Sequence, residues 1–176
     1  MRQTPLWTRR AALWSAICTL GTSAGFGAWA QTLAAPSGPV ILTISGKIGL
    51  RNAPDGARFD RAMLERLPQQ RMQTRTPWDK EPVQFAGPLL RDVLAAVQAQ
   101  GTTLHALALN DYKTRIPVAD TQQFDVLLAH SINGQPIPVR TKGPLFIIYP
   151  FDAKPELQAV TYYERSAWQL KSLAVE

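Results

Sequence analysis

Cysteine is almost missing from this chain: one stands among 176 residues, Cys18, inside the first apolar stretch. Everything after it is free of thiol, which excludes a disulfide, a Cys-ligated metal and a cysteine nucleophile from that part. Histidine is nearly as scarce. His105 and His130 each fall in a strand-like run, and no third ligand is spaced to close a metal site with them. Ser131 beside His130 makes no hydrolase pair, because adjacent strand residues point to opposite faces and no nucleophile elbow is present. Internal repeats and low-complexity tracts are absent too. The excess of positive charge is mild, 19 Lys and Arg against 13 Asp and Glu, and Arg2, Arg9 and Arg10 account for part of it. Without clustered cations and stacking aromatics, this balance does not describe a nucleic-acid-binding surface.

The first thirty residues read as a leader. Arg2, Arg9 and Arg10 form a basic start, Ala11 to Gly27 is mostly apolar and uncharged, and Ala28-Trp29-Ala30 is a small-x-small cleavage pattern. Met1–Ala30 therefore reads as an export signal, which predicts a periplasmic protein starting at Gln31 and no membrane span after cleavage. The Gly, Ser and Thr interruptions argue against a retained anchor. Thr8 to Leu13 also resembles a twin-arginine signal, without its usual aromatic and lysine, and ordinary secretory export explains the same residues. Ile17-Cys18 within the apolar core does not look like a lipid-anchoring site. The chain beyond the leader has the length of one domain, enough to bury roughly two-thirds of its unfolded surface.

Residues 31–39 are small and Pro-containing, a predicted flexible leader, and 40–176 read as one domain. Val40 to Ile44 predicts a strand with Lys47 to Leu50 as a return, and Asn52 to Arg58 a loop. Phe59 to Leu67 predicts a short helix with Asp60 as cap, stopped by Pro68. A polar connector runs on through Thr76-Pro77-Trp78. Phe85 to Pro88 reads as a turn into a helix over Leu89 to Gln100, with Leu90, Val93, Leu94 and Val97 as its inner stripe and Gly101 as its stop. Thr103 to Leu109 and Lys113 to Val118 read as strands around an Asn110-Asp111-Tyr112 turn, with Pro117 suited to an edge or terminus. Asp120 is placed to cap a helical turn before Phe124. Val126 to His130 reads as a strand, and Asn133-Gly134 as a hairpin turn whose second strand is Gln135 to Val139. A loop at Phe151 to Pro155, a helical segment through Arg165 and a strand over Trp168 to Val175 complete the chain.

The organising stretch is Arg140 to Pro150. Arg140 and Lys142 sit just ahead of a Gly-Pro turn that feeds Leu145-Phe146-Ile147-Ile148-Tyr149, a run too short for a helix and suited to a strand covered on both faces. A basic loop at the mouth of a rigid strand is a place for an anionic ligand. The plainer reading is a pair of solvated loop cations.

The run from Phe85 to Leu94, then Asn110-Asp111-Tyr112, Ile116-Pro117, Asn133-Gly134, Lys142-Gly143-Pro144 ending in Tyr149-Pro150, and Trp168-Gln169-Leu170 resembles the oxidoreductase molybdopterin-binding domain of the sulfite-oxidase superfamily. More narrowly it is similar to the small exported single-domain bacterial members, over roughly Val40 to Val175. The resemblance implies an α+β fold, a sulfite-oxidase-type molybdopterin-binding domain with a mixed β-sheet and a few short helices. In the catalytic members a pterin dithiolene and one protein cysteine thiolate hold molybdenum, a soft-ligand match. No position beyond the leader can take that thiolate role. Phe146 stands where the family's Gly-x-Pro-x-Arg pattern carries its arginine.

The resemblance and the residues together make Asn110, Asp111, Tyr112, Arg140 and Lys142 the candidate ligand-binding or cofactor-binding residues, with no catalytic and no metal-ligating residue assigned. Asn-Asp-Tyr is equally an ordinary turn whose side chains bond their own backbone. Tyr162, Tyr163 and Trp168 could wall a flat ligand or close a core. Glu164, Arg165 and Asp152 read as surface ion-pair partners. The expectation is an exported ligand-binding or accessory module. It carries no cofactor, molybdopterin being the one the resemblance would allow, and it serves an anionic small molecule or a periplasmic or membrane protein partner. The alternative is an active molybdopterin-dependent oxidoreductase with non-cysteine metal ligation, so enzyme status stays open.

Overall fold

The computed structural model describes residues 32–176. The export signal read over Met1–Ala30, with Cys18 in it, lies outside the described residues. In chain order the elements are β1 (Val40–Gly46), β2 (Ala57–Asp60), α1 (Arg61–Glu65), β3 (Gln69–Thr76), β4 (Asp79–Pro88), α2 (Leu90–Ala96), β5 (Thr103–Ala108) and β6 (Lys113–Pro117). Then come α3 (Val118–Gln123), β7 (Leu127–Ala129), β8 (Ser131–Ile132), β9 (Gln135–Pro136), β10 (Phe146–Ile148), α4 (Val160–Arg165) and β11 (Leu170–Val175). Among the described residues no helix is long and apolar enough to cross a membrane.

The main sheet has the order β2-β1-β11-β5-β6. Only β1 and β11 run parallel, Thr43 opposite Ser172, and the other neighbours are antiparallel, so the sheet is mixed. Alternation explains its strands: Leu42 and Ile44 on β1, and Leu104, Ala106 and Ala108 on β5, turn inward while their neighbours are more exposed. The expected Lys47 to Leu50 strand does not form. Gly49 and Leu50 instead donate their N–H groups to the Val97 carbonyl, satisfying the end of α2.

A second sheet, β3-β4-β8-β9, overturns the polar connector and the Phe85 turn, for β3 and β4 form one hairpin from Gln69 to Pro88. The inward positions near the end of β3 are Thr74 and Thr76, so its period of two carries almost no apolar signal. Pro82, Gly87 and Pro88 disguise β4 as punctuation. Between β8 and β9, Asn133 and Gly134 both take positive φ, 49° and 77°, as a tight hairpin requires. The strand after it stops at Pro136 rather than reaching Val139.

The stretch entered from the basic loop is β10, paired with β7, and Leu145 to Tyr149 are all fully buried. Its aromatic and branched side chains fill the space between sheets, where Phe85 meets Phe146 edge-on at 5.8 Å. α2 buries the expected stripe but ends at Ala96, because Gln98 turns left-handed at φ 51°. Asp60 caps α1 as expected, its carboxylate accepting from the Met63 N–H at 2.8 Å. Its other oxygen accepts from the N–H groups of Ser37 and Gly38 at 2.7 and 2.8 Å, tying the segment just ahead of β1 to α1. Asp120 is inside α3 and caps nothing; its carboxylate is turned toward Tyr149.

Candidate functional site

Three segments far apart in sequence converge on one cleft of ≈ 230 Å³. The β3–β4 turn brings Trp78, the β5–β6 turn brings Asn110 and Tyr112, and α4 with the segment after it brings Tyr163, Glu164, Ser166 and Trp168. Each segment is held by local chemistry. The Thr76 hydroxyl accepts from the N–H groups of Trp78 and Asp79 at 3.2 and 3.1 Å and so shapes the Pro77-Trp78 turn. Asn110 Oδ1 accepts from the Tyr112 N–H at 3.2 Å, and Asp111 between them sits left-handed at φ 62°. The Tyr112 hydroxyl then donates to the Glu164 carbonyl at 2.8 Å, which joins the turn to α4.

The cleft walls are rings. Trp78 meets Trp168 at 5.3 Å and 85°, and Tyr163 at 6.2 Å and 71°, so both contacts are edge-on. Behind them Trp78 packs on Phe146 and Phe151, which anchors the turn to the core. The three aromatics read as wall or core divide between the roles. Tyr163 and Trp168 line the cleft, while Tyr162 packs on Tyr149 and Phe124.

Two ion pairs flank this frame. Lys142 Nζ donates to Asp79 Oδ2 at 2.8 Å, and the Thr76 hydroxyl donates to the same oxygen at 2.8 Å. Burial pushes the Asp79 carboxyl up, but the hydrogen bonds and charge of Lys142 and Thr76 outweigh it and hold the group below its usual range. On the other side Asp120, only 6% exposed, accepts from Arg165 Nη1 at 2.8 Å and from the Tyr149 hydroxyl at 2.7 Å. Burial first, then the hydrogen bond to Asp120, raises Tyr149 far above a free phenol. Arg165 is thus no mere surface partner, and Asp152 accepts from the backbone of Arg75 at 2.8 Å.

The five candidate residues do not form one site. Asn110 and Tyr112 line the cleft; Asp111 is exposed and serves the turn. Lys142 lies beside Phe146, 5.9 Å from its ring, with its charge engaged by Asp79. Arg140 is exposed in the turn closed by the Thr141 N–H on the Pro138 carbonyl. Arg140 and Lys142 belong to a loop whose path puts neither in the cleft lining. Trp78 escaped the sequence reading because its hairpin did; Thr-Pro-Trp-Asp, a hydroxyl and a carboxylate flanking a two-residue turn, is the signal that would have marked it.

The model of one protein family, the oxidoreductase molybdopterin binding domain, matches residues 61–152, more than half of the chain. The chain belongs to that family. The matched part runs from α1 past β10 and contains Trp78, Asn110 and Tyr112, while Tyr163 and Trp168 lie beyond it. No curated protein matches the chain.

A molybdopterin-binding family raises the question of fit. The cleft lining supplies oxygens and ring faces but no thiolate and no cation, and residues 32–176 contain no cysteine. A soft metal ion held through sulfur and a pterin phosphate held through cations do not fit this lining. Lys142 and Arg165 are already committed to Asp79 and Asp120. The histidines are engaged elsewhere: His105 pairs with Glu176 at 3.0 Å, and His130 Nε2 is 2.8 Å from Gln69 Oε1. Burial, then the positive charge of Arg61, lowers His130 below its ordinary value. Among the described residues, no group of three or more His, Cys, Asp and Glu gathers as a metal site.

Proposed function

We propose that the chain is an exported binding or accessory module, built on a sulfite-oxidase-type molybdopterin-binding domain and working without molybdenum. One observation carries the reading: the cleft is lined by four aromatic residues with oxygen-bearing neighbours, in a stretch of 145 described residues without a cysteine. A binding site of rings with a few polar groups is the usual make-up of a small-molecule pocket. The leader over Met1–Ala30 supports export to the periplasm and a likeness to the small single-domain members of the family. An anionic ligand would belong to the Arg140 turn, outside the cleft. That exposed turn also suits a periplasmic or membrane protein partner.

The family match favours a second reading, an active oxidoreductase whose metal is held by the pterin alone or by an oxygen ligand. Elemental analysis with pterin fluorescence, on protein purified from a host that makes the cofactor, separates the two. The module predicts neither molybdenum nor pterin at stoichiometric level. Stoichiometric molybdenum together with sulfite oxidation or sulfoxide reduction would establish the enzyme and end the module.

A further inference from the structure

The lining of the cleft has a definite electrostatic character. Trp78, Tyr112, Tyr163 and Trp168 supply ring surfaces, and Glu164 is the one charged residue among the seven that line it. The face of an aromatic ring carries negative potential and attracts cations, most strongly for Trp. The perpendicular setting of Trp78 against Trp168 and against Tyr163 turns ring faces in different directions around one corner. Trp78 is 36% exposed, so the corner opens to solvent.

Three of the oxygens in the lining are already engaged, which leaves the Glu164 carboxylate and the Tyr163 hydroxyl as its side-chain acceptors. Asn110 Oδ1 accepts from the Tyr112 N–H, the Glu164 carbonyl accepts from the Tyr112 hydroxyl, and the Ser166 hydroxyl donates to the Tyr162 carbonyl at 2.8 Å. A primary ammonium leaving water needs up to three acceptors in return. A quaternary ammonium has no N–H and needs only ring faces and a counter-charge. An anion would meet Glu164 and no cation.

We propose that this cleft binds a quaternary ammonium group carried by a small molecule. The proposal rests on reading the chain as a binding module. The rings of Trp78, Tyr163 and Trp168 contact the cationic head, Tyr112 closes the side toward the β5–β6 turn, and the Glu164 carboxylate supplies the counter-charge. At ≈ 230 Å³ the cleft holds such a head group, a water molecule claiming only about 30 Å³ of liquid volume.

Calorimetric titration of the full chain with choline, with its neutral isostere 3,3-dimethyl-1-butanol and with acetate tests it. Choline is expected to bind at least about tenfold more tightly than the isostere, with acetate silent. Glu164→Gln, at an exposed helical position, should weaken choline severalfold and leave the isostere unchanged. Trp168→Leu should abolish both, and a retained melting temperature excludes misfolding as the cause. Equal affinity for choline and the isostere would overturn the ammonium proposal while leaving a binding module in place. Silence of all three ligands, or preference for acetate, would overturn it as well. Failure of the module reading has its own signature, stoichiometric molybdenum in the purified protein.

Discussion

Tyr149 and Arg165 converge on a single carboxylate oxygen, Asp120 Oδ2, at 2.7 and 2.8 Å. The contact joins α3, the end of β10 and the last turn of α4, so the helix that presents Tyr163 and Glu164 to the cleft is tied to α3 by charge and, through Asp120, to the buried strand by a hydrogen bond. Removing one partner strands a carboxylate that is nearly inaccessible to water. Arg165→Met should therefore cost about 3–5 kcal/mol of stability. Tyr149→Phe, which deletes one hydrogen bond and leaves the ion pair, should cost about 1–2 kcal/mol. Urea midpoints at unchanged m-value check the order. A smaller loss for Arg165→Met than for Tyr149→Phe would mean that the pair is not a brace.

The second pair sets a pH dependence. Asp79 is held below the ordinary carboxyl value of 3.8, so its contribution is fully present above that pH and is lost as the pH falls through the lower, folded-state value. Lys142→Met removes the main opposing influence and leaves the Thr76 hydroxyl alone to offset the upward push of burial. The variant should begin to lose thermal stability at higher pH than the parent during acidification from about pH 7 to about pH 2. Coincident profiles would show that Lys142 does not hold the Asp79 proton affinity down.

Legibility followed the chemistry of the inward positions. The buried run at β10, the stripe of α2 and the Asn133-Gly134 turn all announced themselves, because apolar periodicity and positive-φ residues are local signals. The β3–β4 hairpin did not, since its inner face uses Thr74 and Thr76 where a strand pattern expects valine or isoleucine. With it went Trp78, half of the cleft's tryptophan content. Asn110 and Tyr112 stand in the cleft lining, but the residues they face there come from more than 30 positions away in either direction. Asp120 looked like a helix cap because caps are local; its real partners are 29 and 45 residues off. Pairings of that range leave no periodic trace.

Asp60 joins a helix cap to the start of the chain's described part. The Met63 N–H first, then those of Gly38 and Ser37 against an opposing effect of burial, lower its carboxyl to about 2. Its stabilising effect is thus present above about pH 3.8 and is lost as the pH drops toward 2. Asp60→Ala should lower the melting temperature at neutral pH by about 3–6 °C. It should also release residues 33–38, read out as faster protease cleavage ahead of Val40. Unchanged cleavage in the variant would mean that residues 33–38 are held by other contacts, such as Asn52 Nδ2 donating to the Ala34 carbonyl at 2.7 Å.

Two glycines near the basic loop separate close packing from backbone strain. Gly134 lies in the β8–β9 turn with φ 77°, and a Cβ there would meet nothing within 4 Å. Gly134→Ala should thus cost only the conformational strain, about 1–2 kcal/mol. Gly143 is buried beside Lys142, and a Cβ there would run into the Ile137 carbonyl, main chain that has little freedom to move. Gly143→Ala should cost about 3 kcal/mol or more and displace Lys142 from Asp79. Denaturant midpoints give the first comparison, and an acid-lability profile resembling that of Lys142→Met gives the second. If Gly143→Ala instead matched Gly134→Ala in both, the loop would be able to yield around an added methyl, and the close approach of residues 137 and 143 would not be what sets the entrance to β10.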